Sequence, residues 1–405
     1  AFSSYLARPK LTMTMAKNLL ATMSLLSATE QYIATAKTLR IDLFDYTTHK
    51  IINIASPSKP EENDHITDIR ISSDSKFLAA VTSNSKQLVL YTLPLSEDRK
   101  VYSLPRSVSK VRFSAKNNNL LVADKTGDVL IYEISDSQDT GTKLMGYLSL
   151  LLDVLQTNDE KFIITSDRDE KIRVSCYPNT YNINSYCLGH KEFVNHIELL
   201  PHDDKYLISA SGDGTVKIWD YVNGKICCSI YTNAEIDDLN LKNSFVSLMD
   251  EDEVEVHALP IVHFSTTKLN NNSSLFAVSL YSYKLLLIYS VRNTADIFEC
   301  KLETKLNLDE VPTSIKFHNL QLFIYNDTND LVKIYNLINR NDELSFEINK
   351  EERVFKEDSL NSDCTKELNA TKYLESIKVL YKRKFDNVQE YQERKQQRLA
   401  KSELK

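Results

Sequence analysis

Short runs of alternating apolar and polar residues, each broken by turn formers, recur along this chain in units of about 40 residues. One unit starts at Ile66 with ITDIRIS, FLAAVTS and QLVLYTL; the next starts at Val108 with VSKVRFS and LLVADKTGDVLIYEI. Others begin at Gly146 and Gly189. A weaker unit covers Tyr32 to Ile54, with RIDLFDY and KIINI as its third and fourth strands. The least regular runs from Pro260 to Leu302, after an acidic insertion at Asp250 to Glu255, and TSIKFHN, LQLFIYN and LVKIYNL end the series near Leu337. Such a unit cannot bury its apolar face alone, so the units must stack. The pattern predicts an all-β fold, a seven-bladed propeller over residues 1–337. Residues before Tyr32 are expected to supply the strand that closes the ring with the last blade. Leu19 to Ala28 is apolar enough to suggest a signal-peptide core, but Thr22 and Ser24 interrupt it and an inner strand is the preferred reading. The chain has only 7 glycines. Asparagine and aspartate must therefore carry many turns, as at Asn117–Asn119, Asn270–Asn272 and Asp327–Asn329.

One unit is well formed: Gly189–His190 opens it and SASGDGTVKIWD, Ser209 to Asp220, carries its turn and third strand. This is a WD-repeat signature, in which His190, a hydroxyl at Ser209 or Ser211, Asp213 and Trp219 form a buried hydrogen-bonded tetrad. Trp219 can only donate, Asp213 can only accept, and the imidazole can bridge. The preceding unit, FIITSDRDEKIRVS, is a damaged copy. Asp169 aligns with Asp213, but Ser175 stands where Trp219 should be, and Gly146–Tyr147 replaces Gly-His. In place of the tetrad is a dense run of charge: Asp167, Arg168, Asp169, Glu170, Lys171 and Arg173. Such a run is ordinarily a solvated strand edge. Here the absent tetrad leaves the charges available to a partner, and the residues alone leave both readings open.

Beyond Leu337 the composition shifts. Residues 338–370 are polar and acidic without sustained periodicity, and read as a linker. Residues 371–405 hold ten Lys and Arg against five Asp and Glu, a net +5 that leaves −12 for the rest of a chain whose total is −7. Leu374, Ile377, Tyr381, Phe385, Val388 and Tyr391 recur at spacings of three and four and line one face of a predicted C-terminal helix. Its apolar half is expected to dock on the propeller. Its basic half, with Lys382, Arg383, Lys384, Arg394, Lys395 and Arg398, suits a polyanion, the alternative being a solvated helix.

Other functions find little support. The eight histidines are scattered, no glycine-rich loop could cradle a phosphate, and no cofactor or metal is expected. The six cysteines show no C-x-x-C and no zinc spacing, so they read as thiols of a reducing compartment. No apolar run approaches a membrane span. A general scaffold, such as a ubiquitin-ligase substrate receptor or a translational-repression cofactor, is the alternative function. Trp219–Asp220–Tyr221 lacks the arginine two residues after Asp that such receptors often carry, which counts weakly against it.

Taken together, FIITSDRDEKIRVS, YCLGHKEFV, SASGDGTVKIWDYVNGK and LYKRKFDNVQEYQERKQQRL resemble the Wuho family, the non-catalytic WD-repeat subunit of tRNA 7-methylguanosine methyltransferase. The detailed match covers residues 146–226 and 380–399. The resemblance implies a heterodimer with a catalytic subunit that carries the S-adenosylmethionine site, acting on a guanosine in the tRNA variable loop. It implies a nuclear, and also cytoplasmic, location, with room for other protein partners. It makes the charged strand a docking edge, on which Arg173 pairs with a partner carboxylate and Asp169, with Glu170 and Lys171, meets charges of opposite sign. It places the C-terminal helix beside the tRNA.

Overall fold

The computed structural model describes residues 25–45, 49–53, 64–96, 99–135, 140–328, 330–340, 343–353 and 373–382. Seven four-stranded antiparallel sheets are arranged as the blades of a propeller, each sheet built from four consecutive strands. Blade 1 spans residues 26–53, blade 2 66–103, blade 3 108–146, blade 4 151–187, blade 5 194–231, blade 6 261–307 and blade 7 314–353. Inner strands alternate little because both faces are buried, as in Leu151–Gln156. Outermost strands are half solvated, as in Ile183–Cys187.

Two expectations about the ends of the ring are corrected. Leu26–Ala28 is the first strand of blade 1, paired with Tyr32–Lys37, and does not complete blade 7. Blade 7 makes its own fourth strand from Glu343–Arg353, inside the segment read as a linker. Among the described side chains of that strand only Phe346 is buried, so its charges resemble a linker in sequence. Blades 1 and 7 meet through side chains: Phe323 and Tyr325 pack with Ala34 and Ile41. Lys37 also reaches the carbonyl of Asp327 at 2.9 Å and the carboxylate of Asp330 at 2.5 Å.

The scarcity of glycine is visible in the backbone. Asn117, Asn319 and Asp330 adopt left-handed φ at turns, and so do Ser75, Glu160 and Glu170. Between blade 5 and the acidic insertion lies a helix, Leu239–Asp250, whose first turn is capped by Asp238 accepting from the Leu241 amide at 2.9 Å. Its Phe245 and Met249 are buried against blade 6.

Candidate functional site

Blade 5 realises its tetrad in full. Trp219 Nε1 donates to Ser209 Oγ at 2.8 Å, Ser209 lies 2.8 Å from His190 Nε2, and His190 Nδ1 lies 3.1 Å from Asp213. With the Ser209 hydroxyl facing His190 Nε2, the imidazole is neutral and donates from Nδ1 to the carboxylate. Burial lowers the pKa of His190 accordingly. Burial alone would raise that of Asp213, but His190 and Thr215 hold it down at about 2.

Blade 4 keeps the turn and loses the tetrad. Thr165 occupies the Ser209 position, and its Oγ1 donates to the hydroxyl of Tyr147, the residue standing in for histidine, at 3.1 Å. Arg173, matching Lys217, lies over Tyr147 with its guanidinium carbon 4.1 Å from the ring centroid. Its Nε reaches Ser175 Oγ at 3.2 Å, while its terminal nitrogens have no hydrogen-bond partner among the described residues. Arg173 is not on a sheet edge. It belongs to the third strand, Ile172–Cys176, between Thr165 on one side and Tyr186 on the other.

The other charges divide by role. Asp167 is buried and closes the turn, its carboxylate accepting from the Lys171 amide at 3.0 Å. Burial raises its pKa. It is therefore part of the scaffold of the turn. Asp169 has lost its histidine; its contacts are Arg168 at 4.0 Å and Lys382 at 3.9 Å. Glu170 sits at φ 69° where blade 5 has Gly214 at φ 70°, a left-handed position that ordinarily costs a side chain about 1–3 kcal/mol. Lys171 points to solvent.

Three large apolar side chains surround this turn, and sequence reasoning missed them. Leu148 is fully exposed directly after Tyr147. Tyr186 is exposed across the sheet from Arg173, and Leu188 follows Cys187, the partner of Ile172. Alternation would have placed Tyr186 on the outer strand, but nothing in sequence marks an exposed aromatic from a buried one.

The C-terminal segment runs onto the same face. A short helix at 373–378 stacks Tyr373 on Tyr281 of blade 6, with ring centroids 5.9 Å apart. Ile377 is buried, and Lys378 pairs with Asp252 at 2.5 Å. Tyr381 meets Phe193 edge-on at 5.0 Å and donates to the carbonyl of Gly212 in blade 5 at 2.9 Å. Lys382 then hydrogen-bonds Glu170 of blade 4. Lys382, grouped in sequence with the basic residues of the tail, thus reaches the blade 4 turn. Beside it Glu192 has a pKa raised to about 7 by burial and by its acidic neighbours Glu170 and Asp213, against the pull of Lys382. Arg383, Lys384, Arg394, Lys395 and Arg398, with Phe385, Val388 and Tyr391, lie outside the described residues.

A second concentration of charge lines the central channel. Arg112 of blade 3 grips Asp153 of blade 4 at 2.9 and 2.6 Å and the Ile197 carbonyl of blade 5 at 2.7 Å. Asp153 also accepts from the Ile197 amide at 3.1 Å. These groups satisfy one another across three blades and serve the fold. Among the described residues no group of three or more His, Cys, Asp and Glu is placed to hold a metal ion, and no helix is long and apolar enough to cross a membrane.

Fold and site together define a WD-repeat propeller with one intact blade signature beside one converted to a charged, apolar-rimmed surface. The family model described as tRNA methyltransferase TRM82 WD40 domain matches residues 27–143 and 133–333, and the chain belongs to that family. A relative from Aedes aegypti, named tRNA (guanine-N(7)-)-methyltransferase non-catalytic subunit wuho, is 30% identical over 370 residues, 85% of this chain and 83% of that protein. A Xenopus laevis relative, named non-catalytic subunit wdr4 of the same methyltransferase, is 43% identical over 172 residues, 42% of this chain and 43% of that protein. A wuho relative from Drosophila willistoni is 42% identical over 173 residues, 42% of this chain and only 40% of its own length. Among solved structures, a chain in a crystal structure of the mitotic checkpoint complex superposes with a TM-score of 0.59 at 10% identity, covering 88% of this chain and all of that one. The RRP9 WD40 repeats give 0.56 at 17% identity over 73% of this chain and 83% of that one. Both share the fold alone.

Proposed function

We propose that this chain is the non-catalytic subunit of a tRNA (guanine-N(7)-)-methyltransferase, binding and stabilising the S-adenosylmethionine-dependent subunit as a heterodimer. The carrying observation is the blade 4 turn. It forgoes its own tetrad, holds Glu170 in a left-handed conformation, and presents the open terminal nitrogens of Arg173. Exposed Leu148, Tyr186 and Leu188 stand around them. An apolar patch with fixed charges at its centre is what a specific protein interface requires. The names of the relatives support the identity of the partner. In this reading Arg173 takes a partner carboxylate, Asp169 and Glu170 take partner cations, and the basic residues beyond Lys382 meet tRNA.

The test is purification of the tagged full chain from cells, followed by a methyl-transfer assay on tRNA. Recovery of a methyltransferase subunit and 7-methylguanosine activity is the expected outcome. The chain alone should neither bind S-adenosylmethionine nor methylate tRNA. A one-to-one complex with S-adenosylmethionine by calorimetry, or a pull-down holding ligase subunits and no methyltransferase, would sink the reading.

A further inference from the structure

Two cysteines face each other across the seam between blades 5 and 6. Cys228 lies on the outermost strand of blade 5, Lys225–Tyr231, and Cys300 on that of blade 6, Ile297–Asn307. They are 72 residues apart in sequence, yet their Sγ atoms stand 3.4 Å apart. The seam that sets this distance is well packed: Tyr206 of blade 5 meets Phe298 of blade 6 edge-on at 4.8 Å, and its hydroxyl donates to Asp296 at 2.6 Å. Both thiols are half-buried, so small solutes reach them. Adjacent Cys227 is exposed and its Sγ turns back toward the Lys225 carbonyl at 3.9 Å.

We propose that Cys228 and Cys300 form an oxidative modification site, closing to an inter-blade disulfide on exposure to a peroxide. A disulfide needs sulfurs about 2 Å apart, so the pair must close by roughly 1.4 Å. The chemistry balances in two steps. The Cys228 thiolate attacks one peroxide oxygen, giving a sulfenic acid and releasing hydroxide, which takes up the thiol proton as water. The Cys300 thiol then attacks that sulfur, the S–S bond forms, and a second water leaves. Each cysteine loses one electron to the peroxide. The order of attack follows from the surroundings: the contact with Cys300 and the positive charge of Lys217 lower the pKa of the Cys228 thiol, while Cys300 itself is pushed up. This site is independent of the subunit reading, and its consequence is mechanical. It would clamp the two blades on which the Leu239–Asp250 helix and the C-terminal segment rest.

The experiment treats the purified full chain with stoichiometric hydrogen peroxide, blocks free thiols, and maps non-reduced peptides by mass spectrometry. The expected product is a 228–300 cross-linked peptide lacking two hydrogens, with a melting temperature raised by a few degrees and restored by dithiothreitol. Because Cys227 and Cys228 share a peptide, Cys227→Ser is used to assign the bond and should retain it; Cys228→Ser and Cys300→Ser should lose it. Over-oxidation of Cys228 without a cross-link, a bond through Cys227, or the same yield from urea-unfolded chain would each overturn the proposal. The wild-type map decides the matter even if a variant fails to fold.

Discussion

Reversing the charge of Arg173 tests the proposed docking surface at its centre. In the free chain, Arg173→Glu removes a cation–π contact with Tyr147, about 0.5–1 kcal/mol at an accessible site, and the hydrogen bond to Ser175, roughly 1 kcal/mol. A domain of about 150–250 residues loses about 2–4 °C per kcal/mol and a larger one less, so Tm should fall by less than about 8 °C and the propeller should stay folded. The interface loses far more. A buried charge pair broken on one side costs about 2–5 kcal/mol, largely because the opposite charge is stranded. At tenfold per 1.4 kcal/mol, the Kd for the methyltransferase subunit should rise from about 30-fold to several thousandfold. Arg173→Lys keeps the charge but not the planar fork, and should fall between wild type and Arg173→Glu. Calorimetric titration of the catalytic subunit into each chain, with thermal melts alongside, reads both numbers. A folded Arg173→Glu chain with unchanged Kd refutes the docking assignment, and a variant unfolded at room temperature refutes the placement of Arg173 outside the core.

Three further outcomes are expected. Glu170→Gly relieves the left-handed backbone while restoring unfolded-state freedom, so Tm should hardly move, yet the catalytic subunit should bind more weakly; a wild-type Kd would assign Glu170 to the turn alone. His190→Ala strands Ser209 and Asp213, costing about 1–3 kcal/mol, and thermal melts should show a lowered Tm, with complex formation retained below it. Neutralising Arg394, Lys395 and Arg398 together should weaken tRNA binding by the heterodimer and flatten its salt dependence, at a log–log slope of about 0.9 or less per phosphate contact; affinity measured across a salt series, unchanged in both respects, would return the tail to a solvated helix.

The ring was legible in the sequence because inner strands such as ITDIRIS and FLAAVTS are bounded by turn residues and are apolar enough to be unmistakable. Its ends were not. An outermost strand such as Glu343–Arg353 is paired along one edge only, so its composition is that of a solvated segment. The loss of the blade 4 tetrad could be read from Ser175 and Tyr147, since the tetrad depends on particular donors and acceptors. The fates of the charges could not. Asp167 turns inward to close a hairpin, and Lys382 finds Glu170 across more than two hundred residues, contacts that arise from tertiary placement with no local pattern to announce them. The channel pair Arg112–Asp153 was missed for the same reason: one charge per inner strand becomes a network only when the strands converge.

The landing of Lys382 on Glu170 also fixes a point of departure. Everything C-terminal to it must set out from the blade 4 turn, and a chain extends at most about 3.5 Å per residue. Arg394 is twelve residues further on, so it cannot stray beyond roughly 40 Å of that turn. In the proposed complex, the basic tail thus starts from the subunit boundary. A polyanion held on the catalytic subunit would meet it at a local concentration set by that reach and not by free solution. Modest tail contacts, too weak to capture RNA from solution, would then suffice to slow its escape.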